Sequence, residues 1–226
     1  MPALQKYTHP LWQEYRPGVF EWFGLTGSGG KTAMQVGFHS ANSRENLDML
    51  VGKGVRLRRI EEADLARMVE WWNRPDVWEN FLYKFPLSHG GQVIWFKNLF
   101  QNQRCLFLII ETIDTRQPVG TIGLDSIDHV NQTAECGNLM IGNNESKGMG
   151  FAREATLLLL TYGFYRLNLN RIFLNVLADN VRAIELYKNC GFREEGKLRQ
   201  AFFDQGAFKD ILVMAILRDE YRHAVP

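Results

Sequence analysis

The sequence predicts a mixed α/β domain, a central sheet with helices packed on its faces. Three observations carry that prediction. From residue 51 onward, apolar strand-like runs alternate with amphipathic helical segments. The junctions carry turn chemistry, such as Gly191 after a helical run and Asp204-Gln205-Gly206 between two strand-like runs. Hydrophobic residues make up 46% of 226, enough to bury a substantial core.

The elements come in this order. VRLRRI (55–60) alternates apolar and polar residues, as a half-buried strand does. EEADLARMVEWWN (61–73) places Leu65, Met68, Val69 and Trp72 on one helical face, and Pro75 stops it. SHGGQVIWFKNLFQN (88–102) opens on a capping Ser88 and reads as a second helix. RCLFLIIETI (104–113) and VGTIGLDSI (119–127) are strands joined by a polar turn, and AECGNLMIG (134–142) is the next strand. FAREATLLLLTYGFYRL (151–167) is an apolar helix, RIFLNVLA (171–178) a buried-type strand, and NVRAIELYKNCGF (180–192) a helix. REEGKLRQAFF (193–203) and AFKDILVMAIL (207–217) form a hairpin.

Residues 1–50 differ. They are glycine-rich, carry Trp12, Tyr15, Phe20, Trp22 and Phe23, and show no long periodic segment. They read as an irregular arm with one short strand at 18–23, ahead of a domain spanning 51–226. Within the arm, GLTGSGGKT (24–32) looks like a phosphate-binding loop. Gly24 and Gly29 have the right separation, but Gly30 stands where lysine belongs, and the register of Lys31-Thr32 puts Leu25 at the first glycine. No helix-length segment comes after it, so the match is read as false.

Composition excludes several classes. Lys+Arg 26 against Asp+Glu 25 gives no electrostatic case for nucleic-acid binding. No apolar run reaches the roughly 18 residues that cross a membrane. Cys105, Cys136 and Cys190 have no metal-type or redox spacing, which suits a reducing cytoplasm, and no metal is expected. For the arm, a homodimer contact and a cover over the site both stay open.

NNESKGMGFAREA (143–155) joins a strand to a long helix. Gly148 and Gly150 allow close backbone approach, and the first helical amides lack partners in their own helix. With the positive end of the helix and Lys147 nearby, they form a candidate pyrophosphate cradle.

Lys147, Gly148, Met149, Gly150, Phe151 and Ala152 match [RQ]-x-x-G-x-[GA], with lysine in the first position. Asn180, Ala183, Leu186, Tyr187, Gly191 and Phe192 match N-x-x-A-x-x-L-Y-x-x-x-G-F in full. On these two motifs residues 53–221 resemble the GNAT N-acetyltransferase superfamily. The ending LRQAFFDQGAFKDILVMAILRDEY resembles its ribosomal-protein N-terminal and polyamine acetyltransferase branch.

The resemblance implies a mostly antiparallel sheet with helices on both faces, and transfer of acetyl from acetyl-CoA to a primary amine. The amine would belong to a protein N-terminus, a polyamine, or an amino-sugar or antibiotic. A CoA-binding module of the same fold without catalysis is the alternative. The resemblance assigns Tyr187 as the acid for the departing thiolate and Asn180 as a helix cap that touches CoA. Glu135 is the candidate base, directly or through water. Leu139, Met140 and Ile141 would contact the pantetheine arm, and Lys147 to Ala152 the pyrophosphate. Trp78, Glu79, Tyr83 and Asp125 are the acceptor-binding candidates, through ring faces and charge.

Overall fold

The structure, a computed structural model, describes residues 50–224 except Phe100. The strand expected at 18–23 and the loop at 24–32 lie outside the described residues. The elements are β1 (Val55–Arg59), α1 (Leu65–Trp72), α2 (Pro75–Trp78), α3 (His89–Leu99), β2 (Leu106–Thr112), β3 (Pro118–Asp128) and β4 (Thr133–Ile141). They continue as α4 (Phe151–Tyr165), β5 (Arg171–Leu177), α5 (Val181–Asn189), β6 (Arg193–Asp204), β7 (Ala207–Leu217) and α6 (Arg218–Ala224).

The seven strands form one sheet in the order β1-β2-β3-β4-β5-β7-β6. Every neighbouring pair is antiparallel except β4 and β5, which run parallel. Strand side chains alternate between the two faces, so consecutive β2 residues enter different cores. Leu108 and Ile110 join the core under α4, with Ala155, Leu159, Leu160 and Phe164. Ile109 joins the core under α1 and α3, with Leu65, Met68 and Leu99. A third cluster sets Trp71, Trp72 and Val77 against Met140 of β4. The fold expectation therefore holds, with helices on both faces.

Most element bounds agree with the sequence reading to within a few residues. The helix expected over 61–73 begins later, because Glu62–Asp64 forms a separate 3-10 turn. There Asp64 accepts from the Glu61 amide and pairs with Arg58 at 2.7 Å, which holds it outside the α-helical ladder. Two helices are additions to the sequence reading. Pro75–Trp78 is a single turn with proline at its start, and Arg218–Ala224 continues directly from β7. One turn gives no periodicity to detect.

Two irregularities of β4 shape the middle of the sheet. Within the β3 pairing, Thr121 lies opposite Met140 while Gly123 lies opposite Gly137, so three steps of β4 oppose two of β3. The extra residue is a bulge at Asn138, which has φ +55°, and its carbonyl accepts from the Thr121 hydroxyl at 2.7 Å. Beside it, a Cβ on Gly120 would lie 2.1 Å from the Met140 carbonyl, so only glycine fits.

Candidate active site

The second irregularity is the partner strand. β4 pairs with β5 only through Thr133–Arg171, Ala134–Ile172 and Glu135–Phe173. Beyond Glu135 the strands part. Among the described residues, the backbone of Leu139 to Ile141 then has β3 on one side and no strand on the other. An unpaired strand edge inside a fold is a template for another extended chain.

Two cavities open from this gap. One, of about 370 Å³, runs along Leu139, Met140 and Ile141 to Lys147 and Ala152, and is closed by Asn180 and Tyr187. The other, of about 270 Å³, holds Glu135, Asn175, Asp125 and again Tyr187. A third, of about 580 Å³, lies on the α1 and α3 face and reaches Asp125 from there.

At the far end of the first cavity, α4 starts from Gly150 with no side chain capping it. The Glu154 amide donates to the Gly150 carbonyl and so starts the helical ladder, which leaves the amides of residues 151–153 ahead of it. Gly148 and Gly150 have φ of +82° and +81°, and a Cβ on either would meet nothing within 4 Å. Their glycine identity therefore answers to backbone conformation and not to crowding by this chain, and the space beside the loop is open. Uncapped amides, the positive helix end and that space fit a phosphate group.

Lys147 adds a positive charge, held by Asp76 of α2. Asp76 also pairs with Arg74 at 2.7 Å, and Arg74 reaches the Gly142 carbonyl and Asn144. Bonds from Arg74 first, and then from Lys147, hold the Asp76 carboxyl well below the usual carboxylate range. This chain of contacts fixes α2 to the loop that leads into the cradle.

Tyr187 faces the gap from α5. Its ring meets Phe192 edge-on at 5.6 Å, and burial pushes its phenol well above the ordinary value. It is therefore protonated at any physiological pH. No hydrogen-bond partner for its hydroxyl is present among the described residues. Glu135 stands across the gap, where Asn175 donates to its Oε1 at 2.9 Å. Asp125 is the direct cross-strand partner of Glu135, which puts two carboxylates side by side.

A family model described as "Acetyltransferase (GNAT) domain" matches residues 55–193. The chain belongs to the GNAT acetyltransferase family. It is 35% identical over 176 residues to the spermidine N(1)-acetyltransferase of Escherichia coli (strain K12), covering 76% of this chain and 91% of that one. A crystal structure of spermidine N-acetyltransferase from Vibrio cholerae in complex with CoA and spermine superposes with a TM-score of 0.70 at 28% identity, over 74% of this chain and 98% of that chain. A dodecameric structure of the Vibrio cholerae protein matches with a TM-score of 0.64 at 29% identity, over 74% and 95% of the two chains. These relatives are N-acetyltransferases, and this chain is an enzyme of the same kind.

In this acetyltransferase the residues expected at the cofactor site fall together. Leu139, Met140, Ile141, Lys147, Ala152, Asn180 and Tyr187 line one cleft, with Gly148 to Phe151 completing the loop beside it. Asn180 caps α5, accepting from the Ala183 amide at 3.1 Å, and also faces both inner cavities. Met149 is exposed, and Phe151 leans on the core under α4.

The acceptor-side candidates divide. Tyr83 and Asp125 line the large cavity. Trp78 and Glu79 line none of the three. Trp78 packs on the cluster of Trp71 and Trp72, with Lys84 5.2 Å from its ring centre, and Glu79 is exposed at the end of α2. Asp128 is a turn residue, accepting from the Val130 and Asn131 amides at 2.9 Å.

Other members of the site escape the sequence reading. Asn175 holds Glu135, and a lone amide within the apolar run RIFLNVL is a readable signal. Arg74 and Asp76 brace Lys147 and its loop from about 70 residues away, which no local pattern reports. Trp72, Trp95 and Phe107 wall the large cavity but read in the sequence as ordinary core. Among the described residues no three His, Cys, Asp or Glu side chains gather as metal ligands, and no helix is long and apolar enough to cross a membrane.

Proposed function

We propose that this enzyme moves the acetyl group of acetyl-CoA to a primary amine by direct attack on the thioester. The observation that carries this reading is the parting of β4 from β5 after Glu135, with the uncapped start of α4 at one end and Tyr187 at its centre. In that reading the Leu139–Ile141 edge receives the pantetheine arm, and the amides that open α4, with Lys147, receive the pyrophosphate. Acetyl-CoA supplies an activated acetyl group on a good leaving thiolate.

The chain's own residues then handle two protons. The attacking nitrogen must be neutral, and Glu135 takes its proton, directly or through a water, while Asn175 orients the carboxylate. Tyr187 keeps its proton because of burial, and so can donate a hydrogen bond or the proton itself to the sulfur. Residues on both sides of the gap thus divide the acid and base work.

The proposal includes a catalytic domain that begins near residue 51, with residues 1–50 outside the acetyl-transfer chemistry. It also includes self-association. The dodecamer of the Vibrio cholerae relative supports that, as does β6, an edge strand with Leu198 and Phe203 exposed and Phe208 exposed beside it on β7.

The deciding experiment pairs calorimetric titration of acetyl-CoA with amine-dependent release of free thiol. Binding together with turnover is expected. Binding without turnover of any primary amine would favour the inactive CoA-binding module instead.

A further inference from the structure

The large cavity differs in kind from the gap it joins. Its walls are Met68, Trp72, Tyr83, Trp95, Phe107 and Met140. Trp95 and Phe107 have ring centres 5.5 Å apart, and Trp72 and Tyr83 meet edge-on at 6.2 Å. Asp125 is the single carboxylate among its described lining residues, and no lysine or arginine lines it. Asp125 sits at one end, beside Glu135 by strand register and next to the cavity that holds Tyr187.

The remaining polar groups do not supply negative charge. Thr121 spends its hydroxyl on the Asn138 carbonyl, and Ser88 and Gln92 are neutral. Asp204, reached through Lys84 beside Tyr83, is already paired with Lys84 at 3.4 Å and Lys209 at 3.3 Å. Negative charge is thus concentrated where an amine would meet the thioester, and the rest of the described lining is uncharged, with four aromatic rings among mainly apolar side chains.

One ammonium can be matched there, at Asp125 and Glu135. A second ammonium further along would leave water with no carboxylate among the described lining residues to receive it, and ring faces return only part of that desolvation. An apolar body gains from the same wall. A volume of about 580 Å³ accommodates a single- or double-ring group with a short ethylamine arm.

We propose, resting on the acetyl-transfer reading above, that the acceptor is a monoamine whose one ammonium is carried on an aromatic body, of the 2-arylethylamine class, and not a polyamine. Asp125 anchors the ammonium beside Glu135, and the Trp95–Phe107 and Trp72–Tyr83 pairs hold the ring. The chain therefore departs in acceptor from the spermidine enzymes it resembles.

The test titrates 2-phenylethylamine, tryptamine, spermidine and spermine into the full-length protein saturated with CoA, and measures initial rates of thiol release with acetyl-CoA. The arylethylamines should bind, and show kcat/KM, about tenfold or more above spermidine and spermine. Asp125→Asn should weaken arylethylamine binding by about tenfold, and Trp95→Leu by about fivefold, with CoA affinity as the control for folding in each. Polyamines that bind or react as well as the arylethylamines would overturn the proposal. So would a CoA-loaded protein that binds neither class. Failure of CoA itself to bind would instead overturn the acetyl-CoA reading, and this inference with it.

Discussion

The cofactor cleft and the acceptor cavity share a strand but are built from different material. The cleft is mostly backbone: an unpaired edge at Leu139–Ile141, two glycines with positive φ, and helix amides without a cap. Its parts come mainly from two short stretches, 139–152 and 180–187. The acceptor cavity is mostly side chain, assembled from α1, the segment before α3, α3 itself, β2, β3 and β4. Backbone geometry binds what every member of a family shares, and it leaves a compact trace in sequence. Side-chain walls can be exchanged one at a time, so they carry what differs.

That contrast can be broken at the junction first. Tyr187→Phe keeps the ring on Phe192 and removes only the hydroxyl. It should lower kcat by about 10–1000-fold with little change in acetyl-CoA affinity, as expected for one positioned acid. Because burial raises the phenol, the wild-type kcat should show no loss from Tyr187 ionisation up to about pH 10, the value of a free tyrosine. A variant as fast as wild type at every pH would leave Tyr187 as packing.

On the cleft side alone, Gly150→Glu puts a negative side chain beside the cradle in a left-handed backbone position. Acetyl-CoA affinity should fall on the order of 100-fold by calorimetry. Unchanged affinity in a folded variant would move the phosphate site elsewhere. Glu135→Gln, at the meeting of the two regions, should cost about 10–100-fold in kcat, with KM for acetyl-CoA nearly constant. An equal loss in acetyl-CoA binding would mark Glu135 as a structural strut.

The smallest effects sharpen the boundary. Asp76→Asn releases Lys147 from its ion pair and should tighten acetyl-CoA binding by about two- to fivefold at low salt, an effect that salt removes. A chain starting at Asn46 should bind acetyl-CoA as the full chain does. Loss of binding there would make the first residues part of the catalytic unit.

Legibility in the sequence obeys the same division. The strands and helices of the sheet carry period-2 and period-3.6 patterns and can be read in order. The Lys147–Ala152 and Asn180–Phe192 motifs mark the cleft because their spacing is local. In the sequence Trp78 reads as a cavity wall and Trp72 as core, although both lie in one aromatic-rich stretch. Packing reverses this: Trp72 reaches the cavities, while Trp78 packs against its cluster. The divergence of β4 from β5 has no local signal, because no residue in Leu139–Ile141 announces an absent neighbour. Arg74 and Asp76 are invisible for a related reason, since an ion pair between residues as far apart as Asp76 and Lys147 has no sequence period.

The bulge at Asn138 has a consequence for parity. In an uninterrupted strand, residues an odd number apart face opposite ways. Glu135 and Met140 are such a pair, yet their partners Asp125 and Thr121 lie an even number apart on β3 and line the same cavity. The one inserted residue cancels the odd count. A base and an acceptor wall therefore share a side, and Leu139 and Ile141 turn together toward the core under α4. Deleting Asn138 would restore the regular alternation and exchange inside for outside along the rest of the strand. The active site is in this sense an arithmetic property of the chain: its residue types are necessary, but the count between them decides which of them meet.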